Sequence, residues 1–190
     1  MAIDRRQSVI EAATKSFSLF GFKATTMDQV AKLANVGKGT IYTFFKNKEE
    51  LFDQIVSTMI IEMKQEAEQV LDRERTFFEN AQAALYRMLK FRTQHQLMIK
   101  LLQEEKEMGT LAVQDVLTRV EKAIVLYIKQ KIEEAIEKQE IQLCDPEITA
   151  FLLLKMYIAL VSHWENNHEP LSEEKIAELI ELYFLRGLSR

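Results

Sequence analysis

Turn-forming residues are scarce: two prolines and five glycines serve a chain of 190 residues. Each pair of strands in a sheet needs a turn, and tight turns draw on glycine and proline. The scarcity therefore favours long helices. The inward residues recur at helical spacing from the start, as in Val9, Ala12, Ala13, Ser16, Phe17 and Phe20. The expectation is an all-α fold of about nine helices. No run of about 18 apolar residues stands out, so no membrane span is expected. Residues 1–10 are polar and lack the apolar core of a secretory signal. A single cysteine, Cys144, cannot close an internal disulfide, which points to a reducing cytoplasm.

Charge divides the chain. The net charge of −4 by itself argues against a nucleic-acid partner. Residues 1–48, however, carry eight Lys and Arg against three acids, while the remainder carries 17 against 26. A head of +5 thus precedes a body of −9, the pattern of a basic module for a polyanion joined to an acidic domain. Solvated helix faces could give the same imbalance by chance, so a motif has to decide.

The punctuation residues set the helices. A first helix is expected over 4–20, stopped by Gly21. Thr26-Met27-Asp28-Gln29 reads as a capping box that opens a second, over 27–34. Asn35-Val36-Gly37 is a tight turn before a third, over 38–45. Asn47, with Glu50 three residues on, caps a fourth that runs to about 71. Two more fit between 75 and 107, before a break at Gly109-Thr110 and a long helix over 111–138. Asp145-Pro146-Glu147 starts a helix over 146–166, and Pro170-Leu171-Ser172 introduces the last, over 172–188. These last two are apolar nearly all round, at Phe151 to Leu154, Tyr157 to Val161 and Leu182 to Leu185. One face would bury in its own domain and the other against a second copy; the competing reading makes both the centre of a monomeric bundle.

Two short helices joined by a tight turn at 27–45 have the spacing of a DNA-binding helix-turn-helix. Val30, Ala31, Ile41 and Phe45 form its inner face, leaving Thr40, Thr43 and Phe44 outward and Tyr42 on the flank. Lys38-Gly39 and Lys48 stand at helix starts, where free N–H groups favour phosphate, and Thr25-Thr26 supply a third such end.

The run Ala12-Ala13, Phe17, Gly21-Phe22, Thr25-Thr26-Met27, Val30-Ala31, Ala34 to Tyr42 and Phe45 to Leu51 resembles the N-terminal signature of the TetR family of bacterial transcriptional regulators. The resemblance covers about the first 50 residues; the rest is similar only in helical architecture and length. Asn35 and Gly37 depart from the family's usual Gly and Ser, and both suit the same backbone. The resemblance implies DNA contacts by Thr26, Lys38, Gly39, Thr40, Tyr42, Thr43, Phe44 and Lys48. Physically, Thr26, Lys38, Tyr42 and Lys48 suit phosphates, and Thr40, Thr43 and Phe44 suit base edges. Phe44 either meets a thymine methyl or packs against the first helix.

The family resemblance also implies a DNA-binding domain over 1–47, followed by a helical ligand-binding and dimerisation domain over 48–190. It implies release from double-stranded operator DNA by a small effector, and the apolar faces of 146–166 and 172–188 are the expected contact of the homodimer. Adaptable side chains proposed to line the effector site are Met59, Met63, Phe78, Phe91, Met98, Tyr127 and Trp164. Taken one at a time, each reads better as a core residue, so a minority of them is expected to touch the ligand. The alternative is a regulator controlled by a protein partner without a small ligand. An enzyme is not expected: the sequence offers no nucleophile–base pair and no Gly-rich phosphate loop. No metal site and no cofactor are expected, since His163 and His168 are five apart and miss the helical register of two ligands. His95 reads as solvent-facing or capping, Cys144 as structural, and the charged run 100–107 as a solvated helix end.

Overall fold

Asp4 opens the first helix by accepting hydrogen bonds from the backbone N–H of Arg6 and Gln7. The computed structural model describes residues 4–189, with Gln94 by its backbone alone. Among the described residues there are nine α-helices and no strand. They are α1 (Arg5–Ala24), α2 (Met27–Leu33), α3 (Lys38–Phe44), α4 (Lys48–Glu68), α5 (Phe77–Gln94), α6 (Gln96–Met108), α7 (Leu111–Glu137), α8 (Pro146–Ile158) and α9 (Glu173–Tyr183).

The expected ends hold within a few residues, with three informative departures. Gly21 breaks the first helix where expected, as a kink inside the span of α1 rather than at its last residue. It takes φ 85° and ψ 172°, a backbone that favours glycine, and one further helical turn follows to Ala24. The helix from Pro146 also changes type instead of running uniformly to 166. It passes into a π-turn at Ala159–His163 and a 3-10 turn at Trp164–Asn166. The widened turn leaves the Val161 carbonyl to accept from the Arg92 guanidinium at 2.9 Å. Likewise α9 ends at Tyr183, and Leu185–Leu188 form a 3-10 turn.

The chain divides into two compact units. One comprises Met1–Ile61 with Gln94–Val120, the other Glu62–Thr93 with Glu121–Arg190. The first unit therefore holds the three N-terminal helices and also α6, with the early parts of α4 and α7. Its core includes an aromatic cluster: Phe17 and Phe52 meet at 5.2 Å between centroids, and Phe22 and Phe52 at 4.7 Å. Around it Val9, Ala13, Val30, Ile41, Leu51 and Val56 are buried.

The core of the second unit joins Leu89 of α5, Ile132 and Ala135 of α7, Ala150 of α8, and Ile176 and Ile180 of α9. Cys144 is partly buried against it. Lys155 on α8 pairs with Glu121 on α7 at 2.7 Å. The outward sides of α8 and α9 remain apolar, with Ile148 58%, Leu152 51% and Tyr183 72% exposed. By length and composition alone, the 21-residue run Pro146–Asn166 is apolar enough to cross a membrane. The cause is its second apolar face, which the core of its own unit does not need.

Candidate nucleic-acid interface

The capping box forms as the sequence requires. The Thr26 hydroxyl accepts from Gln29 N–H at 3.3 Å, and the Gln29 side chain accepts from Thr26 N–H at 2.9 Å. These bonds satisfy two donors that a helix start leaves open, and they fix where α2 begins. Asn35 then takes φ 53°, and Gly37 caps α3 in an extended conformation. Ile41 anchors α3 in the core with no exposed surface. Asn47 accepts from Glu50 N–H at 2.8 Å, while the Glu50 carboxylate reaches back to Lys46 N–H at 2.7 Å. The pair brackets the turn between α3 and α4.

With Ile41 and Phe45 inward, α3 presents Gly39, Tyr42 and Thr43 to solvent, and Thr40 and Phe44 are half-buried. The Thr43 hydroxyl donates to the Thr40 carbonyl at 2.6 Å, so its lone pairs stay outward. A Cβ added at Gly39 would meet nothing within 4 Å. Thr26 and Lys38 are exposed beside this face. Lys38 pairs with Asp28 at 2.9 Å, which ties the start of α3 to α2 and raises the lysine pKa through that hydrogen bond.

Two sequence expectations change here. Thr25 does not serve as a phosphate-ready helix end. It is fully buried, in contact with the Ser16 hydroxyl at 3.0 Å and donating to the Gly21 carbonyl at 2.8 Å. The charged run 100–107 is not simply a solvated helix end either, because Glu104 is only 2% exposed. Leu97, Leu101 and Glu104 share the buried face of α6 at spacings of four and three, a register visible in the sequence. Lys48 is half-buried, and its ammonium donates to the carbonyls of Phe22 at 2.8 Å and Thr25 at 2.9 Å. It also lies 4.2 Å from the centre of the Phe22 ring. Burial lowers its pKa, and the nearby Glu49 and Glu104 carboxylates oppose that.

The residues expected to line an effector site divide between the two units. Met59 and Met98 lie in the first; Met63, Phe78, Phe91, Tyr127 and Trp164 lie in the second. Met59 and Phe91 are buried, whereas Met63, Phe78, Met98 and Tyr127 are half-buried. The Tyr127 hydroxyl is buried, and burial with Glu68 nearby raises its pKa strongly. Trp164 is exposed and stacks on His168 at 3.9 Å, its indole N–H donating to the Glu169 carbonyl. His95 occupies the N-cap position of α6. Among the described residues no group of three or more His, Cys, Asp and Glu could hold a metal ion.

Comparison with known proteins agrees with this architecture. Residues 9–55 match the model of bacterial regulatory proteins of the tetR family, and residues 76–188 match a tetracyclin repressor-like C-terminal domain. An HTH-type transcriptional regulator of Bacillus subtilis, YhgD, is 58% identical over 189 residues, covering 100% of this chain and 99% of that protein. Among solved structures, the fatty acid degradation regulator FadR from Bacillus halodurans superposes with a TM-score of 0.77 at 17% identity, over 100% of both chains. A SmeT–triclosan complex superposes with a TM-score of 0.79 at 18% identity, over 98% of this chain and 92% of the other. SmeT is the repressor of a multidrug efflux pump of Stenotrophomonas maltophilia. With both family models matched in order and a relative this similar along its whole length, the chain belongs to the TetR family of helix-turn-helix transcriptional regulators.

Proposed function

We propose that this regulator is a repressor that grips its operator as a homodimer and is released by a small, largely hydrophobic effector. The observation that carries the reading is the outward face of α3. Tyr42 and Thr43 stand in solvent there, and Gly39 leaves open space beside the backbone. Thr40, Thr43 and Phe44 read base edges by single hydrogen bonds and apolar contact. Thr26, Lys38, Tyr42 and Lys48 position the protein on phosphates. Lys38 does so by exchanging Asp28 for a phosphate, and Lys48 through the third N–H of an ammonium that donates two to carbonyls. The two copies meet through the apolar outward sides of α8 and α9. Within the second unit, Met63, Phe78, Phe91, Tyr127 and Trp164 are the adaptable side chains offered to the effector. The site of action is the cytoplasm, where the lone Cys144 stays reduced. An effector lowers DNA affinity only by its differential affinity for the two states of the protein.

The test is fluorescence anisotropy on duplex DNA from immediately upstream of the protein's own gene, with random DNA as control. Salt is varied over about 50–200 mM, a range in which several phosphate contacts weaken visibly. Preferential, salt-sensitive binding by a dimer is expected. A folded, ligand-free dimer that binds no DNA at low salt would refute the reading.

A further inference from the structure

The joint between α1 and α2 is held from two sides within the first unit. At Gly21 the backbone leaves helical geometry, so the N–H groups just beyond it lose their usual helical acceptors. The Glu104 carboxylate takes them. One oxygen accepts from Phe22 N–H at 2.6 Å, and the other from Lys23 N–H at 3.0 Å. The Thr110 hydroxyl donates to the second oxygen at 2.9 Å and orients the group. A Cβ at residue 21 would collide with this carboxylate. On the carbonyl side, Lys48 holds Phe22 and Thr25. Thr26, the cap of α2, follows directly.

A buried carboxylate is costly unless its acceptors are filled, and here three donors fill them. We propose that Glu104 is a positioning residue for DNA binding: from α6 it fixes the joint that sets the direction of α2, and with it the reading face of α3. Glu104 touches no DNA in this role and acts through the Phe22 and Lys23 backbone. The idea rests on the DNA-binding reading above, and its test compares variants on DNA that the wild-type protein demonstrably prefers. Failure of wild type to bind is thereby separate from failure of Glu104 to matter.

Simple electrostatics and positioning predict opposite signs. Removing an acid from a protein that binds a polyanion should strengthen binding. If Glu104 positions the joint, Glu104→Gln should weaken it, because the amide can accept through only one of its two atoms and turns an NH2 toward an N–H donor. The full-length dimer is assayed by anisotropy, with its melting temperature and dimer state recorded in parallel. The expected result is a loss of about tenfold in operator affinity at a temperature where the variant is fully folded. The salt slope should be unchanged because no phosphate contact is removed. Affinity equal to or above wild type overturns the proposal, including the case in which only the melting temperature falls. If Glu104→Gln does not fold, Thr110→Val decides: it keeps the charge but frees the carboxylate to reorient. A loss of about threefold then supports the proposal, and unchanged affinity overturns it.

Discussion

Gly39 separates what the protein needs for itself from what it needs for DNA. It lies in the first turn of α3, and no atom of the protein within 4 Å would oppose a Cβ there. An alanine should therefore fold equally well, or better by up to about 1 kcal/mol, since glycine is the poorer helix former. Only a surface that approaches from outside could object. Gly39→Ala is expected to leave the melting temperature level or slightly raised and to lower operator affinity by about tenfold. Melting and anisotropy on the same preparation check both parts. Unchanged affinity would mean that DNA does not approach the start of α3 closely. Gly21 is the opposite case. Its φ of 85° and the adjacent Glu104 carboxylate both exclude a side chain, so an alanine there should damage the fold itself.

At the scale of elements, the features legible in the sequence are those written in local chemistry. Thr26 with Gln29, Asn35, Asn47 with Glu50, and Asp145 before Pro146 each mark a helix end through partners within a few residues, and each mark held. The outward face of α3 was legible for the same reason, since Ile41 and Phe45 fix which side of the helix turns inward. The missed features depend on distant partners. The π-turn in the α8 run is met by Arg92, 69 residues away in sequence. Glu104 finds Phe22 more than 80 residues away, and a rule of charges outward misplaces it. Tyr157 on α8 shows what such packing does to a titrating group. Burial pushes its hydroxyl up to about 12; Arg92 opposes the shift and Glu173 adds to it. The unfolded chain's tyrosine ionises near pH ~10, so between there and about pH 12 the folded state holds a proton that the unfolded state has lost. The stabilisation is full below pH ~10 and is lost as pH rises through that window, by about 2–3 kcal/mol in total. Tyr157→Phe should flatten the decline, and denaturant unfolding of both proteins across the window measures the difference. Parallel curves would mean that Tyr157 titrates normally.

For the whole molecule, charge and apolar surface point to the same assembly. The head of +5 carries α1 to α3 and the acidic body carries α8 and α9, so the proposed DNA contact and the proposed subunit contact fall on separate elements. Ala150 on α8 and Ile176 and Ile180 on α9 already lie in the core of their own unit. Leu152 and Tyr183 add nothing to that core and lie largely in solvent. In a two-fold dimer each substitution acts twice, once on each copy, so a charge placed on this face is doubled in effect. Leu152→Glu with Tyr183→Glu should therefore yield a monomer with unchanged helix content. Sedimentation velocity with circular dichroism reads both. A monomer carries one α3 and can engage only one half-site, whereas the proposed dimer would place two of them in successive major grooves about one helical turn apart. The variant's operator affinity should consequently fall by at least about a hundredfold and approach its affinity for random DNA. A variant that stays dimeric with both glutamates would move the subunit contact elsewhere. A monomer that still binds its operator as tightly as wild type would remove the two-fold geometry from the account of recognition.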